Sequence, residues 1–377
     1  MWHTLYKWGR MFKRATLAAV ILVAACSDGV GPAPSRLADP SFATTSGSPI
    51  VLDQRSGALN QYDVHIGKGF EEGNPHRGDA IVATFFWLGS TNTITQVTDH
   101  LTDGTPVGNP YTLVEYVTAG GISMATYVAT NVQNFPDTST ESNKVLDVHA
   151  IFSSPVQAGV MISAYRGVGS VAPLGAHRSA SGSGSEPTVA SPGTMPLNEN
   201  ALAYAVTMSD GVVGTDPPVG FTNITTMSDA VMGVDGEYAV PGAAGSVNPQ
   251  WTWYFTALRT WIASVVALNP AALRLSYVAQ PTTTLPLLTM KPVKVAVVDD
   301  LGNTVTSFNG TVTIAIGHNG GLLLPGTLSG TKTVTAVNGV ATFSDLSIDQ
   351  PGNGYTLKAS GSGLVETESA PFNIGVF

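Results

Sequence analysis

The chain has one cysteine, Cys26, in 377 residues, and only 11% of its residues are charged. A single cysteine excludes an internal disulfide, a thiolate-rich metal site and a paired-cysteine redox centre. The charged fraction lies well below the ~25% of an ordinary soluble domain. Positive charge is the scarcer sign, with 17 Lys and Arg against 26 Asp and Glu. That excludes the clustered basic surface on which nucleic acid binds. The uncharged apolar run over residues 15–25 is too short for a bilayer span, which takes roughly 20 residues. No stretch of a dozen residues carries the apolar period of an amphipathic helix. The seven histidines (His3, His65, His76, His100, His149, His177 and His318) form no His-Glu-x-x-His pair. Complete nucleophile-elbow, dinucleotide-binding and phosphate-binding loops are also missing. These absences predict a protein that is not an enzyme.

What is present begins at the N-terminus. Lys7, Arg10, Lys13 and Arg14 lie in a stretch without acidic residues, and the apolar run ends in Ala24 and Ala25, just before Cys26. A basic start, a short hydrophobic core and small residues at a cut make the layout of a secretory signal. Val23, Ala24, Ala25 and Cys26 resemble the lipobox of bacterial lipoproteins. The resemblance implies cleavage before Cys26 and lipidation of that residue with multiple chains; two or more give a stable membrane hold. Ser27, rather than Asp, follows the cysteine, which by the same resemblance implies an outer-membrane location, with the mature chain facing outward from the cell envelope. Removing residues 1–25 takes away four of the 17 Lys and Arg and none of the acids, leaving a net charge of −13. Residues 26–47, rich in Gly, Pro, Ser and Ala, read as a flexible tether.

Residues 48–269 read as short strands between Gly, Pro and Asn turns, the pattern of an antiparallel jelly-roll-like β-sandwich. Ala80–Leu88 is near-continuously apolar and suits a strand covered on both faces. Over residues 145–152, Leu146, Val148, Ala150 and Phe152 alternate with Asp147 and His149, so these two sets point to opposite faces. Ile94 and Val97 point inward across a local irregularity. Other strands are expected over residues 111–117, 123–129, 160–165, 201–208, 250–257 and 261–268. The order Gly78-Asp79, then Val97, Thr98 and Asp99, then Gly108, Asn109, Pro110 and Tyr111, and finally a Trp261-led strand is similar to a bacterial extracellular jelly-roll domain. That likeness implies a fold and no activity.

Residues 270–377 show about seven strands in about 105 residues, as in an immunoglobulin-like sandwich. Asn338-Gly339 marks a tight type I′ hairpin turn, because both central positions need positive φ. Val293–Val298 with Asp299–Asn303, Gly326–Thr331, Val337–Ile348 and Gly354–Leu357 resemble the bacterial Ig-like repeats of invasin- and intimin-type surface proteins. In those families the repeat is a spacer or display unit. A single copy stands here, where long stalks use several.

Two candidate sites emerge. Asp99, Asp103 and Asn109 make an oxygen-rich loop with the ligand type that Ca²⁺ prefers; the alternative is that Asp and Asn shape the turn through local hydrogen bonds. Trp251, Trp253 and Phe255, at i, i+2 and i+4, share one strand face. Facing inward they are core; facing outward they form a carbohydrate-stacking strip. The sequence as a whole predicts a non-enzymatic, lipid-anchored envelope protein. It would display β-sandwiches for adhesion or surface structure, with the membrane as one partner and a glycan or surface protein as another. A carbohydrate-binding module is the alternative, and an envelope hydrolase the more distant one.

Overall fold

The computed structural model describes residues 50–91 and 93–375. Cys26, the signal sequence and the tether lie outside the described residues. The fold is all-β and antiparallel, without a helix among the described residues, and no helix there is long and apolar enough to cross a membrane.

Residues 50–269 build two successive sandwiches with one strand order. The first contains β1 (Val51–Gly69), β2 (Ala80–Leu88), β3 (Ile94–Leu101), β4 (Thr112–Ala119), β5 (Ile122–Ala129) and β6 (Leu146–Arg166). Its large sheet runs β1–β6–β2–β5–β4. A smaller outer layer is made by β3, the first half of β6 and the end of β1. Both β1 and β6 therefore pass from one layer to the other. They do so at irregular points: β1 shifts register three times against β6, and β6 turns through exposed Ser153, Ser154 and Pro155.

The second sandwich contains β7 (Leu174–Gly184), β8 (Pro187–Ala190), β9 (Met195–Leu197), β10 (Leu202–Ser209), β11 (Thr215–Asp216), β12 (Thr222–Ser228), β13 (Gly233–Ala239), β14 (Gly245–Val247), β15 (Trp251–Tyr254) and β16 (Arg259–Leu268). Its large sheet runs β7–β16–β10–β13–β12, and its outer layer β11–β15–β8. Strand for strand, this is the order of the first sandwich, with the layer-crossing strands each broken in two. Pairing registers correspond as well: Met124 on β5 lies between Phe86 and Val117, and Val234 on β13 lies between Met208 and Met227.

The two large sheets face each other. Ala80, Val82, Phe86, Met124 and Met161 of one meet Leu202, Tyr204, Met208, Val234 and Ile262 of the other in a single buried cluster. Each large sheet packs its other face on its own outer layer. β2 and β10 are thus covered on both sides, which is the physical reason for the unbroken apolar run Ala80–Leu88. In the first sandwich Leu146, Val148, Ala150 and Phe152 all point inward, as their alternation predicts, and the irregularity near Ile94 is a register shift between Ile94 and Gln96.

The C-terminal residues form a further sandwich. One sheet joins Arg274–Ala279, Val293–Val298 and Val340–Phe343; the other joins Thr333–Thr335, Thr311–Ile316, Leu357–Ser360 and Thr367–Glu368. Val293, Val295, Ile314, Phe343 and Leu357 fill the space between them. The Asn338-Gly339 turn has positive φ at both positions, 49° and 77°, closed by bonds between Val337 and Val340 in both directions. Its incoming strand pairs with the opposite sheet, so the turn carries the chain across the sandwich. The buried Tyr355 hydroxyl donates to the Gln350 carbonyl at 3.1 Å, the backward tie that braces sandwich corners.

Candidate functional site

In the outer layer of the first sandwich, three strands lie in the order β3, β6, β1. His100 pairs across with Asp147 and Asp147 with Gly69; Thr98 pairs with His149 and His149 with Gly67. Because Leu146, Val148 and Ala150 fill the inner face, Asp147 and His149 must stand on the outer one. They form the floor of an open groove of about 500 Å³, flanked by His100 on one side and by Gln61, Asp63 and His65 on the other. The His100 and His149 rings are 4.5 Å apart between centroids, and the His65 and His149 rings 6.5 Å. One ligand-type atom each from His100, Asp147 and His149 lies within 4.8 Å of the others.

Hydrogen bonds orient both imidazoles. His100 Nδ1 is 2.9 Å from the Leu101 carbonyl; a carbonyl only accepts, so Nδ1 carries a proton, and in the neutral ring the lone pair is on Nε2. His149 Nε2 is 2.9 Å from Thr98 Oγ1, while its Nδ1 is enclosed and has no hydrogen-bond partner. Burial pushes the His149 pKa down, helped by the neighbouring His100 and His65. Burial pushes the Asp147 carboxyl up, against the pull of His100 and Lys68. Gly67 keeps the floor open: a Cβ there would stand 2.6 Å from His149 Cβ and 2.8 Å from Asp147 Oδ1.

A second ionisable cluster ties the 70–79 loop to β1 and β6. Asp53 Oδ2 accepts from the His76 backbone N–H and lies against His76 Nδ1, each at 3.0 Å, while Asp53 Oδ1 pairs with Arg166. Burial raises the Asp53 carboxyl, but hydrogen bonds from His76, Asp79 and Arg166 outweigh it and hold the group low. Asp79, which is 1% exposed, goes the other way: burial raises it first, and its neighbour Asp53 raises it further. Burial and Asp53 thus favour the neutral form of Asp79, while His76 and Arg166 favour the ionised form of Asp53. Arg77-Gly78-Asp79 spells an integrin-type tripeptide, but its acid is buried and does not reach the surface.

The residues nominated from sequence fare differently. Trp251 and Trp253 are both 0% exposed. They plug the space between β15 and the large sheet, with Trp253 stacked on Phe255 at 5.8 Å and its Nε1 donating to Thr207 Oγ1 at 3.3 Å. Buried rings present no face to a sugar, so the carbohydrate strip is corrected to core. The oxygens of Asp99, Asp103 and Asn109, the residues of the calcium reading, serve internal donors in this structure. Asp99 Oδ1 accepts from the N–H groups of Gly108 and Asn109, and Oδ2 from Asn109 Nδ2 at 2.7 Å. Asp103 accepts from the Thr105 N–H and pairs with Lys144, and Asn109 Oδ1 accepts from the Gln133 N–H. These are loop-shaping bonds of the Asx kind.

Sequence reasoning placed Asp147 and His149 on an outer face but did not connect them to His100 or His65. The connecting signal is strand register between segments tens of residues apart, which no local pattern carries. No protein-family model matches the chain, and no curated protein is similar to it.

Proposed function

We propose that this is a non-enzymatic envelope protein, held to a membrane by lipid on Cys26, that displays its β-sandwiches for adhesion or surface structure. The observation that carries this reading is the order along the chain. A basic stretch and a short apolar run lead to the sole cysteine, then a Gly- and Pro-rich segment, and then β-sandwich to residue 375. A flexible segment of the length of 26–47 reaches on the order of 25 Å, enough to hold a sandwich clear of lipid headgroups. The His- and Asp-lined groove of the first sandwich is a surface where polar side chains converge, and it is the one this reading offers to a partner.

Metabolic labelling with palmitate tests the anchor. Cells making the wild-type chain incorporate label into it, and Cys26→Ala abolishes incorporation and moves the protein to the soluble fraction. Equal labelling of the variant overturns the anchor. Protease treatment of intact cells tests display: degradation of the sandwiches is expected, and full protection overturns outward display.

A further inference from the structure

The outer layer of the first sandwich holds a set of groups that its own hydrogen bonds leave unfinished. His100 has a bonded Nδ1 and a free Nε2 lone pair. His149 has Nε2 against Thr98 and an Nδ1 with neither partner nor solvent. A buried polar atom without a partner calls for an explanation such as a bound ion. The Asp147 carboxylate lies directly across from His100 on the paired strand, and one ligand-type atom from each of the three residues falls within 4.8 Å of the others. Ligands around a tetrahedral metal stand about 3–3.5 Å apart, given bond lengths of about 2.0–2.2 Å. Modest side-chain rotation therefore closes the set. Tying the second ring nitrogen to an oxygen, here the Leu101 carbonyl and Thr98 Oγ1, is how metal-bound imidazoles are oriented.

We propose that His100, Asp147 and His149 bind one divalent transition ion of the zinc class, leaving its remaining coordination positions open to the groove. Two imidazoles and one carboxylate suit zinc-like ions and disfavour Ca²⁺ and Mg²⁺, which prefer all-oxygen shells. The site needs no rearrangement of backbone, since all three ligands lie on paired strands β3 and β6 and Gly67 on β1 leaves the approach clear. Three protein ligands with an open position is the arrangement of a site that accepts water or a further ligand. The other cluster containing histidine and aspartate makes the contrast: Arg166 already occupies Asp53 and stands 2.8 Å from His76 Nδ1. A fixed guanidinium there repels a cation. This proposal stands independently of the lipid anchor.

The test is calorimetric titration of Zn²⁺ into the full chain, purified in detergent and stripped with a chelator. Saturable one-to-one binding is expected, with no heat from Ca²⁺ or Mg²⁺. The His100→Ala/His149→Ala variant should bind about 100-fold more weakly or worse, and Thr98→Val, which keeps every ligand, about tenfold more weakly. His177→Ala, at the ion pair with Glu115 on another strand, should bind as wild type does. Absence of one-to-one uptake by the wild-type chain overturns the proposal, as does binding by the double variant within threefold of wild type. If the double variant loses its unfolding transition, Co²⁺ on the wild-type chain decides. A visible absorption band displaced by one equivalent of Zn²⁺ supports the site, and no band overturns it.

Discussion

The two sandwiches within residues 50–269 share a strand order but not an outer surface. In the first, the central outer strand presents Asp147 and His149 outward over Leu146, Val148 and Ala150, with one aromatic, Phe152, at its end. In the second, the equivalent strand β15 presents Thr252 and Tyr254 outward, with Tyr254 bonded to Asp216, over Trp251 and Trp253. Topology decides which positions face out; residue identity decides what those positions can bind. The inner residues differ for a mechanical reason. The first outer layer is carried by long strands continuous with the large sheet, whereas β11, β15 and β8 have only two to four residues each. So little backbone pairing needs bulky aromatic burial to hold the layer down.

That difference is open to direct measurement, and it gives the largest expected effect. Trp253→Ala should lower unfolding free energy by about 3–5 kcal/mol. Val148→Ala, the matching inward truncation in the first sandwich, removes two methyl groups and should cost about 2 kcal/mol. Urea unfolding followed by circular dichroism reads both. Equal losses would break the claim that the second outer layer depends on its aromatic plug.

The same contrast explains what was legible in the sequence. Alternation over 145–152 identified an inner and an outer face because period two survives there without interruption. The Trp251, Trp253 and Phe255 spacing showed that three rings share a face, yet period two cannot say which face is inward. Strands β1 and β7 were not visible: β1 mixes Asp, Gln, Arg and Gly among few apolar residues and shifts register three times, and β7 is largely Ser, Gly and Ala. Asp99, Asp103 and Asn109 have the composition of a calcium loop and of a hydrogen-bonded turn alike, so only donor positions separate the two. The histidine groove escaped notice because His65, His100 and His149 meet through long-range register.

A middling effect comes from two neighbouring buried carboxyls on β13 of the second sandwich. Asp235 and Glu237 on β13 are each 1% exposed and share Asn223 Nδ2, at 3.2 and 2.8 Å, while Thr226 donates to Asp235 at 2.6 Å. Burial raises both carboxyls, and takes Glu237 from 4.5 to about 7. The folded state therefore binds more protons than the unfolded chain between those values, so stability falls as pH rises from 4.5 through 7. Glu237→Gln removes much of that slope and should gain on the order of 1–2 kcal/mol relative to wild type at pH 8, with little difference at pH 4. Melting curves across this range check it; a wild-type stability that rises over the same interval would reverse the sign. At the corresponding strand of the first sandwich, β5, no such pair exists: Ala125 and Tyr127 face its outer layer.

The smallest expected effect lies on the seam where the sandwiches meet. Thr84 Oγ1 on β2 is 2.8 Å from Tyr204 OH on β10 and 3.0 Å from Thr126 Oγ1. Tyr204→Phe removes one side of this network but leaves Thr84 paired with Thr126, so no hydroxyl is stranded and the cost should be about 1 kcal/mol. Tyr204 stays packed among Phe86, Met161 and Val206 through its ring; hence the two sandwiches should still unfold in a single transition in the variant. Differential scanning calorimetry distinguishes the outcomes. Two separated transitions in Tyr204→Phe would mean that this hydroxyl, rather than the apolar seam around it, couples the halves, and the likeness between them would then be one of topology without a shared folding unit.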